Sequence, residues 1–173
     1  MSTSSSASKI QANLQDLFQA NLAPGNAYIR FKLTTDITAL LSMKQVQTSV
    51  IVDANKITPM PGMPESVIGM MSSRDRVFCV FNLAQLLAVS SQAVSSQKYQ
   101  IVVLQTDIEP QIYIGLAVTE LQGILRVQQE KIQSPKTASF TNLDLFLSGE
   151  VQEKRSTIPI LSFDRILKAL NGN

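Results

Sequence analysis

Hydrophobic and polar residues follow two different periods along this chain, and each period predicts a different kind of element. Between residues 10 and 22, apolar residues recur every three or four positions, so we expect one amphipathic helix that ends before Pro24-Gly25. Beyond that point, short runs rich in β-branched and aromatic residues predict strands. The clearest of these runs are residues 28–33, 77–83, 101–104 and 112–118.

These predicted strands are short and closely spaced, and no long helix separates them. Such spacing favours small β-barrels closed by antiparallel pairing over a parallel sheet. Two short amphipathic helical turns are predicted at Leu83–Leu87 and Phe163–Leu170. The fold class is therefore mainly β, with short helices and an N-terminal amphipathic helix.

The chain also repeats itself. Met43, Val46 and Val50 match Val118, Leu121 and Leu125 at an offset of 75, as Lys56-Ile57 matches Lys131-Ile132. Val80, Leu83, Leu86 and Leu87 match Ile160, Phe163, Ile166 and Leu167 at an offset of 80. Two copies of one unit are expected, joined by the serine-rich segment 88–98. We place the lobes at about 28–90 and 98–170, within a domain of residues 26–173, and the chain ends could be exchanged between the lobes. Residues 1–25 form an extension before this domain, and its serine-rich start is expected to be disordered.

The segment Ile57–Leu83 combines a proline-rich turn with two apolar runs. Pro59, Pro61 and Pro64 each fix φ and hold the preceding residue extended, so no regular helix forms there. The runs Val67–Met71 and Val77–Phe81 flank the polar residues 73–76, which predict a hairpin turn. We expect this hairpin to be buried on both faces.

Composition and charge narrow the classes of function. With 45% hydrophobic and 16% charged residues, the chain is expected to be a compact soluble protein. The net charge is +2 and the longest basic run is Lys154-Arg155, which argues against nucleic-acid binding. The sequence shows no apolar stretch long enough to span a bilayer and no signal peptide, so we expect a cytoplasmic protein without direct membrane insertion.

Candidate chemistry is sparse. The sequence contains no histidine and one cysteine, Cys79, so a thiolate metal cluster and every Ser-His or Cys-His pair are excluded. Glycines are scattered singly and form no phosphate-binding loop. We expect no enzyme activity, no metal and no cofactor. An enzyme that uses Lys or Glu as its base is the weakest alternative.

Three stretches of the chain resemble the CheW adaptor family: Ile57–Leu83, Gly115–Leu125 and Ile158–Leu167. The likeness covers about Tyr28 to Leu170. It implies two five-stranded SH3-like barrels that share an apolar core and perform no catalysis. It also implies an adaptor that couples the cytoplasmic tip of a methyl-accepting chemoreceptor to a CheA-type histidine kinase, in receptor arrays at the membrane. A non-flagellar pathway, such as pilus-based motility, is suggested by departures from the family pattern.

The resemblance also implies receptor-binding residues, whereas it assigns none to the kinase. These are Met43, Val46, Thr48, Gly69, Ser72 and Arg74. The family reads Asn-Leu-Arg-Gly where this chain reads Ser72-Ser73-Arg74-Asp75, so the arginine is kept. On a hairpin tip its planar donor fork suits a partner's carboxylate, although an ordinary solvated arginine would look the same.

Three interpretations stay open at this point. The groove between lobes could hold a small molecule, which would make the protein a sensor. The N-terminal helix could pack on its own barrels, which we favour, or seat in a partner's groove. Met70 and Met71 are expected in the core, whereas Met60 or Met63 could face a partner.

Overall fold

The computed structural model describes residues 24–90, 97–136 and 142–171. The predicted serine-rich start and N-terminal helix lie outside these residues. The described strands are β1 (Asn26–Lys32), β2 (Thr38–Ser42), β3 (Val46–Asp53), β4 (Val67–Ser73), β5 (Arg76–Asn82), β6 (Lys98–Gln105), β7 (Tyr113–Val118), β8 (Glu120–Val127), β9 (Ile132–Gln133), β10 (Leu147–Glu153) and β11 (Ser156–Leu161). The helices are α1 (Leu83–Leu86) and α2 (Phe163–Asn171), with 3-10 turns at Ala54–Lys56, Gln129–Lys131 and Asn142–Phe146.

The strands form two curled sheets. The six-stranded sheet has the order β8-β1-β2-β11-β10-β9, and the five-stranded sheet has the order β3-β6-β7-β5-β4. The mainly β prediction is confirmed, but each sheet holds one parallel pair among its antiparallel ones, β2 with β11 and β5 with β7. We call the two units the six-stranded lobe and the five-stranded lobe.

The predicted internal repeat is visible in the strand order. Five strands of the first sheet, in the order β8-β1-β2-β11-β10, match the order β3-β6-β7-β5-β4 of the second, and β9 is an additional edge strand. Strands β1 and β2 pair with strands from the second half of the chain, and β6 and β7 pair with β3 and β5 from the first half. The parallel pairs arise at these junctions. The lobe ranges 28–90 and 98–170 stay a prediction, since both sheets draw strands from both ranges.

Three apolar clusters fill the fold. One lies inside the five-stranded lobe around Phe78 and Val103, and another lies inside the six-stranded lobe around Leu40 and Ile158. The largest cluster joins side chains of both sheets and both helices, with Leu116 among its fully buried members. The two lobes therefore share one core, and burial of this shared surface supplies stability that each small lobe would lack alone.

Both α-helices begin at a polar cap. The Asn82 side chain accepts a hydrogen bond from the Gln85 backbone N–H at 3.2 Å, and Ser162 Oγ accepts one from Arg165 N–H at 3.4 Å. Such caps satisfy backbone donors that a helix start leaves open. Arg165 then donates to the Leu147 carbonyl at 2.9 Å, which ties α2 to β10. No helix within the described ranges is long and apolar enough to cross a membrane.

The predicted hairpin is confirmed. Strands β4 and β5 pair antiparallel, and both central residues of the turn, Arg74 and Asp75, have positive φ of 50° and 64°, as a two-residue type I′ turn requires. Burial on both faces is wrong. Met71 and Phe78 on the inner face are buried, but Met70 on the other face is only half-buried, because this face borders an open cavity.

Glycine is required at one point of β4 for steric reasons. Gly69 follows a bulge in the β4–β5 pairing and has a φ of 156°. A Cβ added there would lie 2.3 Å from the Thr58 carbonyl oxygen, closer than Cβ atoms approach other heavy atoms in proteins. The Thr58 and Met70 backbones exchange hydrogen bonds at this crossing. The equivalent Gly149 lies against Gln133 of β9 in the other lobe, so the repeat extends to this detail.

Candidate functional site

The predicted receptor residues are spread over three places in the fold. Met43 follows β2 and Val46 begins β3, and both are half-buried and pack against the shared core. Their backbones form a tight turn, with Val46 N–H donating to the Met43 carbonyl at 3.2 Å. This turn carries the chain from the six-stranded sheet to the five-stranded one, so these two residues serve the core and the crossing between lobes.

Thr48 and Arg74 meet at one end of the five-stranded lobe, although 25 residues separate them in sequence. They line a cavity of about 220 Å³, which we call the five-stranded mouth. Its other lining residues are Gln47, Ser73, Arg76, Phe78, Val103 and Tyr113. A bulge in β3 at Gln47 and the β4–β5 turn form its rim. The structure thus places two of the six predicted residues in one cavity.

The rim of the mouth is basic. Arg76 lies with its guanidinium carbon 4.3 Å from the centre of the Tyr113 ring, a cation–π contact that holds this side chain across the opening. Arg74 is exposed and makes no ion pair with any described residue. None of the described residues that line the mouth is acidic. The mouth therefore presents two guanidinium groups with hydroxyl and amide groups around them, above an apolar floor of Phe78 and Val103.

Gly69 and Ser72 do not line the mouth. Gly69 is buried against the Thr58 backbone, where its role is steric. Ser72 is exposed on β4, and its neighbour Ser73 lines the cavity instead. Successive strand residues point to opposite faces, so the alternation along β4 could have identified Ser73. Arg76 and Tyr113 carried no comparable sequence signal, because their contact joins two strands that are far apart in the chain.

A second, larger cavity lies on the outer face of β5 beside the end of α2. Its volume is about 600 Å³, and Met70, Val77, Cys79, Ile112 and Leu170 are among its lining residues. Cys79 Sγ lies 3.1 Å from Met70 Sδ, and partial burial raises the pKa of the Cys79 thiol. The predicted core position holds for Met71, which is buried, while Met60 and Met63 are exposed on the proline-rich turn.

The described residues hold no group of three or more His, Cys, Asp or Glu side chains placed to bind a metal ion.

Comparison with known proteins decides the family. The family model for the CheW-like domain matches residues 28–171. The chain belongs to the CheW family. Among curated proteins, none matches the sequence significantly.

A solved CheW structure shares this fold. It is the crystal structure of the scaffolding protein TtCheW from Thermoanaerobacter tengcongensis, which aligns with a TM-score of 0.67 at 17% identity and covers 80% of this chain and 90% of that one. At this identity the likeness shows the fold alone. The two lobes of our CheW-like domain are thus the paired SH3-like lobes of the family, and the predicted fold class and resemblance are confirmed. Membership supports a scaffold or adaptor role of the chemotaxis type.

Proposed function

We propose that this CheW-like protein is a non-enzymatic adaptor that couples the cytoplasmic tip of a methyl-accepting chemoreceptor to a CheA-type histidine kinase. It would act in the cytoplasm at receptor arrays, in chemotaxis or pilus-based motility. Binding both partners at once raises their effective concentration for each other, and the shared core lets a receptor's conformational bias pass between rigid lobes.

One observation carries the receptor side of this proposal. Thr48 and Arg74, two of the six residues that the family resemblance assigns to the receptor, lie on separate elements and line the same cavity. Arg74 is exposed, so its donors are free to reach a partner. Met43 and Val46 precede Thr48 on the chain and fix the start of β3 against the core. A rigid apolar base with a basic rim is suited to hold a protein surface.

The test is the affinity for a soluble receptor cytoplasmic hairpin, measured by calorimetry, with Arg74→Glu as the variant. Losing charge-assisted hydrogen bonds and adding repulsion should weaken binding by about tenfold to a hundredfold. The matched control is Lys154→Glu, because Lys154 also has positive φ and occupies the equivalent turn of β10–β11. It should leave the affinity unchanged. Equal losses in both variants would indicate a non-specific charge effect and contradict the proposed receptor site.

A further inference from the structure

The internal repeat allows the five-stranded mouth to be compared with the equivalent end of the six-stranded lobe. In the five-stranded lobe, Thr48 pairs with Val103 next to the bulge at Gln47. In the six-stranded lobe, Gly123 pairs with Arg30 next to a bulge at Gln122. Both bulges fall at a glutamine in the same strand of the repeat. Arg30 therefore occupies the position that Val103 has in the other lobe.

The hairpins complete the correspondence. Ser73 pairs with Arg76 at the end of β4–β5, and Glu153 pairs with Ser156 at the end of β10–β11. Glu153 thus occupies the position of Ser73. A serine in one lobe is matched by a carboxylate in the other.

In the six-stranded lobe the side chains at these positions, Arg30 and Glu153, form a salt bridge with each other. Arg30 Nη1 lies 2.6 Å from Glu153 Oε2, and Arg30 Nε donates to Gln122 Oε1 at 3.1 Å. The two charged side chains are 31% and 34% exposed, so the pair lies at the surface of the lobe. This end of the six-stranded lobe has a cation, an anion and an amide that satisfy one another.

In the five-stranded mouth, Val103 stands at the place of Arg30, so the positive charges come from two arginines on the rim instead. Arg74 and Arg76 stand on its rim, Gln47 supplies the bulge amide, and no described lining residue carries a carboxylate. At the place of Glu153 there is Ser73, whose short side chain leaves the cavity of about 220 Å³ open. A carboxylate entering this space would meet guanidinium donors with the fork geometry that suits two oxygens.

We propose that the five-stranded mouth binds a Glu or Asp side chain of a protein partner, which takes the place that Glu153 fills in the six-stranded lobe. The identity of that partner as the receptor tip rests on the proposed function, whereas the chemistry of the site does not. The floor formed by Phe78 and Val103 favours the methylene part of a glutamate over a small inorganic anion, because apolar surface is covered as the charge is paired.

The first experiment needs no partner protein. The ¹⁵N-labelled full chain is titrated with a blocked glutamate-containing tetrapeptide, and with the same peptide carrying glutamine or with inorganic phosphate. We expect the glutamate peptide alone to shift the amides of Thr48, Ser73 and Val103. The amides of Arg30 and Glu153 should not move. Equal shifts with glutamine or phosphate, or equal shifts at both lobes, would overturn the proposal.

The second experiment supplies the missing carboxylate from within the chain. Ser73→Glu should pair with the rim arginines as Glu153 pairs with Arg30, and it should weaken binding of the receptor hairpin by about tenfold, the value of one charge-assisted hydrogen bond. The matched control is Ser156→Glu, the same substitution beside the equivalent turn, which should bind like the wild type. Melting temperatures verify that both variants fold.

The two proposals fail in different ways. If the wild type does not bind the receptor hairpin but the glutamate peptide shifts the amide signals of the mouth residues, the receptor proposal fails and the carboxylate site stands. If the hairpin binds wild type and Ser73→Glu equally, and the peptide shifts nothing at the mouth, the carboxylate site is wrong and the receptor proposal stands.

Discussion

Replacing Gly69 by alanine tests whether this predicted receptor residue acts through the fold. The new Cβ would meet the Thr58 carbonyl oxygen at 2.3 Å and the Thr58 carbonyl carbon at 2.8 Å, and the backbone has a φ of 156°. Strain from the unusual backbone conformation costs ~1–3 kcal/mol, and forcing packed groups apart costs a further ~1–3 kcal/mol. We therefore expect the free energy of unfolding to fall by about 4 kcal/mol.

Gly62 offers a matched control. Its φ is 80°, but an added Cβ would meet nothing within 4 Å. Gly62→Ala should therefore cost only the backbone term of about 1–2 kcal/mol. For a domain of this size each kcal/mol lowers the melting temperature by about 2–4 °C, so Gly69→Ala should melt about 10 °C below the wild type and Gly62→Ala about 4 °C below it.

The melting temperatures of both variants are measured by far-UV circular dichroism. Their affinities for the receptor's cytoplasmic hairpin are measured well below the melting range. We expect Gly69→Ala to bind the receptor hairpin normally while it stays folded. Equal melting temperatures for the two variants would refute the steric reasoning. A normal melting temperature with lost binding would instead make Gly69 a direct receptor contact.

Four further outcomes follow from the structure. Leu116→Ala in the shared core should lower the free energy of unfolding by ~2–5 kcal/mol, and both lobes should still unfold in a single urea transition. The control Ile124→Ala, at a side chain 64% exposed, should cost under about 0.5 kcal/mol. Two separate transitions would contradict a shared core. Glu153→Gln should cost less than about 1 kcal/mol, and less still at high salt, because solvent screens the pair. Burial raises the pKa of Cys79 and of Tyr28, so each holds its proton more tightly in the folded state. The rate of Cys79 alkylation should keep rising above about pH 8.5, and a rate that levels off below pH 8.5 would contradict the burial of Cys79. The contribution of Tyr28 to the free energy of unfolding, measured with urea, should be constant below about pH 10 and should fall as the pH rises further.

Local pattern and the repeat made much of the fold predictable. The two short apolar runs on either side of the polar residues 73–76 predicted the β4–β5 hairpin, and matching positions such as Val80 and Ile160 indicated two copies of one unit. The expected burial of both hairpin faces was wrong, because an apolar run such as Val77–Phe81 does not reveal whether a neighbouring element covers its outer face. Val77 is 68% exposed beside an open cavity.

Long-range partners could not be predicted from the sequence. Arg30 and Glu153 are 123 residues apart, and they meet only because β1 and β2 join the sheet built by the second half of the chain. The same exchange brings Tyr113 beside Arg76. The family resemblance supplied Thr48 and Arg74 as candidates, but it could not show that they share a cavity whose described lining residues include no carboxylate.

The adaptor role is tested most directly by reconstitution. Receptor cytoplasmic hairpin, CheA-type kinase and the full chain are mixed, and complexes are measured by size-exclusion chromatography with light scattering alongside kinase autophosphorylation. The proposed function predicts a ternary complex only when all three proteins are present, and kinase activity that responds to the receptor only when this chain is added. A chain that binds one partner but never both, or a receptor that controls the kinase equally well without it, would contradict the account.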